Sequence, residues 1–285
     1  MTILSDEQMD TVHIKLENLQ RSLKDLGNVA VAFSGGVDST FLMMVAHRIL
    51  SDRVLTITAL SGLFPAHEMV EAHAFAAANG IRQIVYEMDE FAIAGFAENP
   101  ENRCYLCKKS IFSRFMKIAA EQGIPYLLEG SNVDDDDDYR PGMQAIRELG
   151  VHSPLREAGF TKKEIRQLSH EMGLSTWDKP SFACLASRFP YGETITHEKL
   201  KAIESSEQLL FDLGFKQIRV RHHGNLARIE IDPEEMEKLM SPVIREAIFS
   251  GIQQAGFTYV TLDMRGYRTG SMNETITTFK SDSTK

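Results

Sequence analysis

The sequence predicts an α/β fold: a doubly wound parallel sheet followed by a smaller C-terminal α+β domain. In the first half, apolar runs of strand length alternate with segments of helical length, which is the order of a parallel sheet covered by helices. After residue 214, two alternating runs joined by a short turn indicate a hairpin. At 285 residues the chain exceeds the usual size of one domain, and we expect domains at 1–190 and 191–285.

The individual elements follow from apolar spacing, helix-start residues and glycine breaks. Strands are predicted at 29–33, 54–60, 81–87, 125–129, 215–221, 226–231 and 259–264. Helices are predicted at 5–27, from the Ser-Gly-Gly turn through the apolar run 41–46, at 66–79, from the segment 99–109 to about 123, from 140, from 161, at 200–213 and at 233–255. Thr161 and Glu164 have the spacing of a capping box. His222 and His223 are predicted to lie in the turn between the hairpin arms.

The segment Ser34-Gly35-Gly36-Val37-Asp38-Ser39 connects the first strand to an apolar helix. Paired glycines allow close approach of a ligand, and the helix start offers unpaired N–H groups, so the segment predicts an anion site. Asp38 would repel a phosphate unless a metal such as Mg²⁺ lies between them. The pattern is neither GxxxxGK[ST] nor GxGxxG. It resembles the pyrophosphate loop of ATP pyrophosphatases, and Leu60, at the exit of the next strand, is then a candidate contact for adenine.

Composition and charge narrow the possible functions. The chain is 43% hydrophobic and 25% charged, as is typical of globular proteins. No apolar run approaches the roughly 20 residues that span a bilayer. The net charge of −9 argues against broad binding to a nucleic-acid backbone. The polar N-terminal segment has no signal-peptide pattern, and we expect a cytoplasmic protein.

The three cysteines are candidate metal ligands or reactive thiols, because disulfides are disfavoured in the cytoplasm. Cys104 and Cys107 lie at a predicted helix start, where the helix end favours thiolates. A redox dithiol or two incidental cysteines are the alternatives. Cys184 lies between Lys179 and Arg188, whose charges would favour its thiolate; the alternative is a small buried apolar residue.

Two further groups are candidate ligand contacts. The aspartates at 134–138 follow a predicted strand and form either a solvated loop or part of a Mg²⁺ site. Arg219 and Arg221 share one face of a predicted strand, as an ordinary polar face or as a clamp for phosphate or carboxylate. Arg268, in the C-terminal tail, is a third candidate for that clamp.

Seven motifs in a fixed order resemble the LarE family over nearly the whole chain: SGGVDS, NRCYLCK, DYRPG, SPLREAGFTKKEIR, WDKPSFACLASRFPYG, RVRHHGNLARIEI and GYRTGSMN. LarE proteins are ATP-dependent sulfur transferases of nickel-pincer nucleotide synthesis. They convert carboxylates of pyridinium-3,5-biscarboxylic acid mononucleotide into thiocarboxylates. The resemblance implies an adenine nucleotide alpha hydrolase-like domain and a homo-oligomer, hexameric in the family. It also implies a small-molecule substrate; from the charge and the lengths of the apolar runs we expect neither a nucleic acid nor a membrane as partner.

The resemblance also implies roles for individual residues. Residues 34–39 would bind the ATP phosphates, Asp38 acting through Mg²⁺, so that ATP can adenylate the substrate carboxylate. The sulfur would come from a 4Fe-4S cluster held by Cys104, Cys107 and Cys184, or from Cys184 itself. The remaining roles would fall to basic side chains: Lys179 and Arg188 offsetting charge at the reacting centre, and Arg219, Arg221 and Arg268 binding the substrate phosphate.

Three rival functions remain open at this point. A tRNA thiolase can combine such a loop with a three-cysteine cluster, but the net charge of −9 and the absence of a recognisable RNA-binding module count against it. An amidotransferase like NAD synthetase would need no cysteine. A nucleotide-binding regulator would bind ATP without releasing pyrophosphate.

Overall fold

The computed structural model describes residues 6–135, 141–180, 183–268 and 271–273. The aspartates at 136–138, residues 181–182 beside Cys184 and residues 269–270 beside Arg268 lie outside the described residues. By its contacts the chain divides into two compact units, Met1–Ala94 with Asn102–Phe182 and Gly95–Glu101 with Ala183–Lys285. Residues 183–190 group with the second unit, and the domain boundary at 190 stays a prediction.

The first unit contains a four-stranded sheet in the order β3-β2-β1-β4, in which all neighbouring strands are parallel. Its strands are β1 (Val29–Ala32), β2 (Val54–Leu60), β3 (Arg82–Glu87) and β4 (Tyr126–Leu128). Its helices are α1 (Asp6–Leu26), α2 (Val37–Leu50), α3 (Ala66–Ala78), α4 (Arg103–Glu121), α5 (Pro141–Glu148), α6 (Pro154–Glu157) and α7 (Lys162–Glu171). The predicted α/β fold with a parallel sheet is therefore confirmed.

The core of the first unit fixes the start of α2. All residues of β2 except Leu60 are buried, as expected for a strand covered on both faces. In α2 every residue from Phe41 to Ala46 is buried, and the Phe41 ring meets Phe160 edge-on at 5.8 Å between centroids. The segment 33–36 lies between β1 and α2. Because both elements are packed in the core, the two ends of this loop are fixed in position.

The second unit contains a three-stranded mixed sheet in the order β5-β6-β7. Strands β5 (Ile218–His223) and β6 (Leu226–Ile231) form the predicted antiparallel hairpin, whereas β7 (Tyr259–Leu262) pairs parallel to β6. The helices of this unit are α8 (His197–Asp212), α9 (Met236–Leu239) and α10 (Pro242–Gln254). No helix in the described ranges of either unit is both long and apolar enough to span a membrane.

Two predictions in the second unit are wrong. His222 and His223 belong to β5, and the turn consists of Gly224 and Asn225, with Gly224 at φ +61°. A left-handed φ suits glycine, so the hairpin closes there and leaves both histidines in the strand. The helix predicted at 233–255 is interrupted between α9 and α10, because Pro242 lacks an N–H and therefore begins a new helix.

Candidate active site

The loop at residues 34–39 is held in shape by its own serines. The Ser34 N–H donates to the Ser39 hydroxyl at 3.3 Å, and that hydroxyl donates to the Gly36 carbonyl at 3.2 Å. Gly35 has φ +72°, and a Cβ at this position would lie 2.8 Å from the Cβ of Ala72. Only glycine satisfies both this backbone conformation and the close packing of α3. The loop thus leads directly to the N–H groups at the start of α2, as an anion site requires.

The chain leaving β4 passes directly over the start of α2. A Cβ on Gly130 would lie 2.9 Å from the backbone nitrogen of Ser39, so a side chain there would block this approach. The crossing brings Asn132 to the loop, where its Nδ2 donates to Oδ1 of Asp38 at 3.4 Å. The Asn132 N–H donates to Oδ2 of Asp135 at 3.0 Å, which places the beginning of the aspartate run near Asp38.

Asp38 also forms an ion pair with Lys162, the first residue of α7. The predicted capping box holds that end of the helix: the Glu164 N–H donates to the Thr161 hydroxyl at 3.3 Å, and the Thr161 N–H to the Glu164 carboxylate at 2.8 Å. Burial raises the pKa of the Asp38 carboxyl, although the Lys162 ammonium partly opposes this shift. A cation therefore already balances the carboxylate of the loop.

Lys179 lies on another side of the same loop. Its Nζ is 3.4 Å from the Gly35 carbonyl oxygen, 2.7 Å from Oε2 of Glu68 and 2.8 Å from Oε2 of Glu71. Arg166 of α7 positions the segment, since its guanidinium donates at 2.7 Å to each of the carbonyls of Trp177 and Lys179. Burial acts to lower the pKa of Lys179, but the hydrogen bonds to the two glutamates outweigh it and raise that pKa.

The cysteines occupy different parts of the chain. Cys104 is exposed and Cys107 is partly exposed; they stand three residues apart in the first turns of α4, on one face of that helix. Cys184 is partly exposed in the second unit. Among the residues that the structure describes, no three His, Cys, Asp or Glu side chains are grouped as metal ligands. Leu60, the candidate adenine contact, is 40% exposed at the end of β2.

Arg188 is fully buried and holds the backbone that carries Cys184. Its Nε and Nη2 each donate to a carboxylate oxygen of Glu207 at 2.9 Å. Its Nη1 donates to the carbonyl of Ala183 at 2.7 Å and to that of Cys184 at 3.1 Å. Every nitrogen of the guanidinium is thus used within the second unit, and its charge is paired with Glu207.

Arg219 and Arg221 are both buried, so the interpretation of an ordinary polar strand face is wrong. The Arg219 guanidinium lies over the Tyr267 ring at 5.1 Å from its centroid. Burial and the nearby charge of Arg188 lower the pKa of Arg219 to about 10. The Nη2 of Arg221 donates to Oε2 of Glu230 at 2.7 Å. The structure therefore places Arg219 and Arg221 in one charged cluster with Arg188.

Arg268 is linked to that cluster through other side chains. Its Nη1 lies 3.3 Å from Oδ1 of Asp263, whose Oδ2 is 3.7 Å from Nε of Arg228. Arg228 in turn donates to Oε1 of Glu230 at 3.0 Å. The network, here called the arginine cluster, contains five arginines and three carboxylates: Arg188, Arg219, Arg221, Arg228, Arg268, Glu207, Glu230 and Asp263. These groups carry an excess of two positive charges.

Sequence reasoning missed the acidic partners and Lys162. Glu207 is seven residues after Leu200 in α8 and so shares its buried face, and a carboxylate on an apolar helix face signals a buried cation. Lys162 gave no such signal, because it is 124 residues from Asp38 in the chain. Glu68 of α3 is buried against Lys179 and was likewise not singled out.

Two relatives are similar to this chain over nearly its whole length. It is 43% identical to an uncharacterized protein of Synechocystis sp. over 92% of this chain and 98% of that protein. It is 38% identical to the pyridinium-3,5-bisthiocarboxylic acid mononucleotide synthase of Lactiplantibacillus plantarum over 94% of this chain and 97% of the synthase.

A more distant likeness covers part of the chain. A glutamine-hydrolyzing GMP synthase component of Archaeoglobus fulgidus is 25% identical over 56% of this chain and 55% of that protein. No family model matches the sequence. The near full-length similarity to the synthase agrees with the seven motifs, the parallel sheet and the serine-glycine loop, and the chain belongs to the LarE family of pyridinium-3,5-bisthiocarboxylic acid mononucleotide synthases.

Proposed function

We propose that this chain is an ATP-dependent sulfurtransferase that converts a carboxylate of pyridinium-3,5-biscarboxylic acid mononucleotide into a thiocarboxylate. The observation that carries the proposal is the 38% identity to the Lactiplantibacillus plantarum synthase over 94% of this chain. The likeness to GMP synthase spans about half of the chain and supports a shared use of ATP, not a shared second substrate.

In this proposal the loop at 34–39 and the first N–H groups of α2 bind the ATP phosphates, and Leu60 contacts the adenine. Asp38 fits a Mg²⁺ ligand, because its carboxylate faces the loop and already has a cation beside it in Lys162. The charge of Asp135 is near enough to raise the pKa of Asp38. We therefore assign Asp135, from the aspartate run, as a second carboxylate beside the metal. When bound, the metal would neutralise phosphate charge.

The chemistry has two steps. A carboxylate oxygen of the substrate attacks the α-phosphorus of ATP, and the bond from that phosphorus to the bridging oxygen breaks, so pyrophosphate leaves. The resulting acyl-adenylate has an electrophilic carbonyl carbon, which the free carboxylate lacks. A sulfur nucleophile then forms the C–S bond, and AMP leaves with the electron pair of the broken C–O bond. Lys179, beside Gly35, offsets negative charge on the loop side of the site.

The sulfur source is one of two. Cys184 can attack through its own thiolate, which would leave dehydroalanine after the sulfur is given up. Alternatively Cys104, Cys107 and Cys184 hold a 4Fe-4S cluster, which would supply an exchangeable sulfide at an iron without a protein ligand. Three thiols match the donor chemistry of such a cluster. Arg188 has a positioning role in either version, since it fixes the carbonyls of Ala183 and Cys184.

The arginine cluster is the proposed site for the substrate phosphate. Its excess of two positive charges corresponds to the charge of a phosphate monoester dianion. Arg219 and Arg221 are buried members of the cluster, and Arg268 is a further candidate, paired with Asp263. An anion bound there would complete the charge balance of a group of side chains that is otherwise costly to bury.

We also propose that the protein is a homo-oligomer that binds neither nucleic acid nor membranes. Light scattering coupled to size-exclusion chromatography gives the oligomeric state. A salt-sensitive gel shift with tRNA would instead support the rival thiolase.

Pyrophosphate release tests the proposed function. We expect release from ATP only when the biscarboxylic mononucleotide is present, and we expect an Asp38→Asn variant to lose it. Asp52→Asn is the matched control, because Asp52 is exposed in the turn after α2. Release without the mononucleotide, or none with it, would contradict the proposal.

A further inference from the structure

The side chain of Lys162 is paired with Asp38, the carboxylate proposed above as a Mg²⁺ ligand. Its ammonium is hydrogen bonded to Oδ2 of Asp38, while Asn132 reaches Oδ1 from the other side at 3.4 Å. The Lys162 N–H also donates to Oδ2 of Asp134 at 2.8 Å, which fixes the start of α7 against the aspartate run. The side-chain ammonium and the backbone N–H of Lys162 thus both donate to carboxylates, those of Asp38 and Asp134.

This ion pair differs from a buried structural pair. The side chains of Lys162 and Asp38 are 29% and 22% exposed, so water and ligands can reach them. A lysine ammonium is a point charge on a flexible stem, and it can exchange one anionic partner for another without a change of backbone. The pair is therefore able to open when a better-placed anion arrives.

A divalent cation arriving alone would have to displace the ammonium from Asp38. The displaced charge would then stand in a partly buried site beside the cation, and like charges at that distance repel. A metal that arrives with a nucleotide brings phosphate oxygens to which the ammonium can move. The cost of opening the ion pair is then offset by the new contact.

We propose that Lys162 is the counter-ion of Asp38 in the nucleotide-free protein and transfers to the nucleotide phosphates when the metal–ATP complex binds, so that metal binding depends on nucleotide. The inference rests on the proposed ATP site. It assigns Lys162 a direct contact with the bound nucleotide and gives the loop a device that excludes free divalent cations.

The test measures Mn²⁺ binding to the protein from the EPR signal of free Mn²⁺, with and without α,β-methylene-ATP, which cannot be cleaved at the bond that the reaction breaks. The Mn²⁺ that the nucleotide binds by itself is measured without protein and subtracted. In the unmodified protein we expect nucleotide to tighten Mn²⁺ binding strongly. In Lys162→Met we expect Mn²⁺ alone to bind at least about tenfold more tightly, because it no longer has to displace the ammonium from Asp38. We expect the nucleotide to bind about tenfold more weakly, because its phosphates lose the contact with that ammonium.

Lys163→Met is the matched control, because Lys163 is the next residue of α7, carries the same charge and is exposed. We expect it to leave both constants unchanged. Lys162→Arg keeps the charge and should keep the dependence on nucleotide. Circular dichroism of each variant shows whether the helix is retained.

The outcomes separate the two proposals. If the unmodified protein binds no α,β-methylene-ATP, the proposed ATP site fails, and the inference fails with it. If the unmodified protein shows the dependence and Lys162→Met shows it equally, only the role of Lys162 is overturned.

Discussion

Side chains of opposite charge meet in both units, but they are held differently. At the loop of the first unit, Lys162 and Asp38 are 29% and 22% exposed, and Lys179, itself 13% exposed, is shared between Glu68 at 7% and Glu71 at 59%. In the arginine cluster of the second unit, Arg188 and Glu207 are 0% and 4% exposed. Exposed pairs are weak and can exchange partners, whereas a buried pair that loses one member leaves an unpaired charge in a low dielectric.

This difference matches the proposed roles, in which residues at the loop contact ligands and the buried glutamates position arginines. In the proposal a metal would replace Lys162 beside Asp38, and a phosphate would replace Asp38 beside Lys162. Glu207 and Glu230 are shielded from water and serve to hold arginines in fixed directions. In the proposal, the excess positive charge that remains binds the substrate phosphate.

We expect the largest loss of stability from removing Glu207, the buried carboxylate that accepts two hydrogen bonds from Arg188. Glu207→Ala leaves Nε and Nη2 of Arg188 and the Val220 N–H without their carboxylate acceptor, and we expect the free energy of unfolding to fall by about 3–5 kcal/mol. Urea denaturation measures this. The double variant Arg188→Met/Glu207→Leu should be less destabilised than Glu207→Ala, because no charge is left unpaired. Equal stability of Glu207→Ala and the unmodified protein would contradict the claim that the buried pair cannot lose one member without cost.

A second effect concerns substrate affinity. Arg219→Ala should raise the KM for the mononucleotide by about tenfold or more, since a charge-assisted contact to phosphate is lost. Steady-state kinetics with saturating ATP measures this change. Lys216→Ala, an exposed cation two residues before β5, is the control and should leave KM unchanged. An unchanged KM in both Arg219→Ala and Arg268→Ala would remove the arginine cluster as the phosphate site.

A third effect is the loss of the cap on α7. Thr161→Ala removes the hydroxyl that accepts from the Glu164 N–H, and we expect a loss of about 1 kcal/mol in unfolding free energy. Thermal or urea unfolding gives the value. Thr161→Ser keeps the cap and should recover most of the stability. A loss as large as that of Glu207→Ala would mean that the loop site is as tightly built as the arginine cluster.

The smallest effect is a pH dependence from β5. Burial lowers the pKa of His222 and His223 below the ordinary value of 6.5, so folding favours their neutral forms. Their contribution to stability is present above pH 6.5 and is lost as the pH falls toward the lowered pKa values. The fall in Tm between about pH 7.5 and about pH 5.5 should be smaller in His222→Gln/His223→Gln than in the unmodified protein. An identical fall would show that other groups dominate.

Local patterns predicted much of this structure. The strand at 54–60 and the Thr161 capping box are found as predicted, because apolar runs and capping spacing act over a few residues. The partners of the charged groups were not predictable in the same way. Asp38 meets Lys162 from 124 residues away, and the sequence does not specify that approach. Alternation in β5 placed Arg219 and Arg221 on one face, but burial of that face depends on Glu207 and Glu230.

The most direct test of the account is mass spectrometry after anaerobic incubation with ATP, Mg²⁺ and pyridinium-3,5-biscarboxylic acid mononucleotide. We predict a product in which sulfur has replaced an oxygen, formed only with ATP and accompanied by AMP. The protein mass then identifies the sulfur source: loss of one hydrogen sulfide from Cys184 if that residue is the donor, and no loss if an iron-bound sulfide is used. A mononucleotide that is unchanged while ATP is consumed would contradict the central claim.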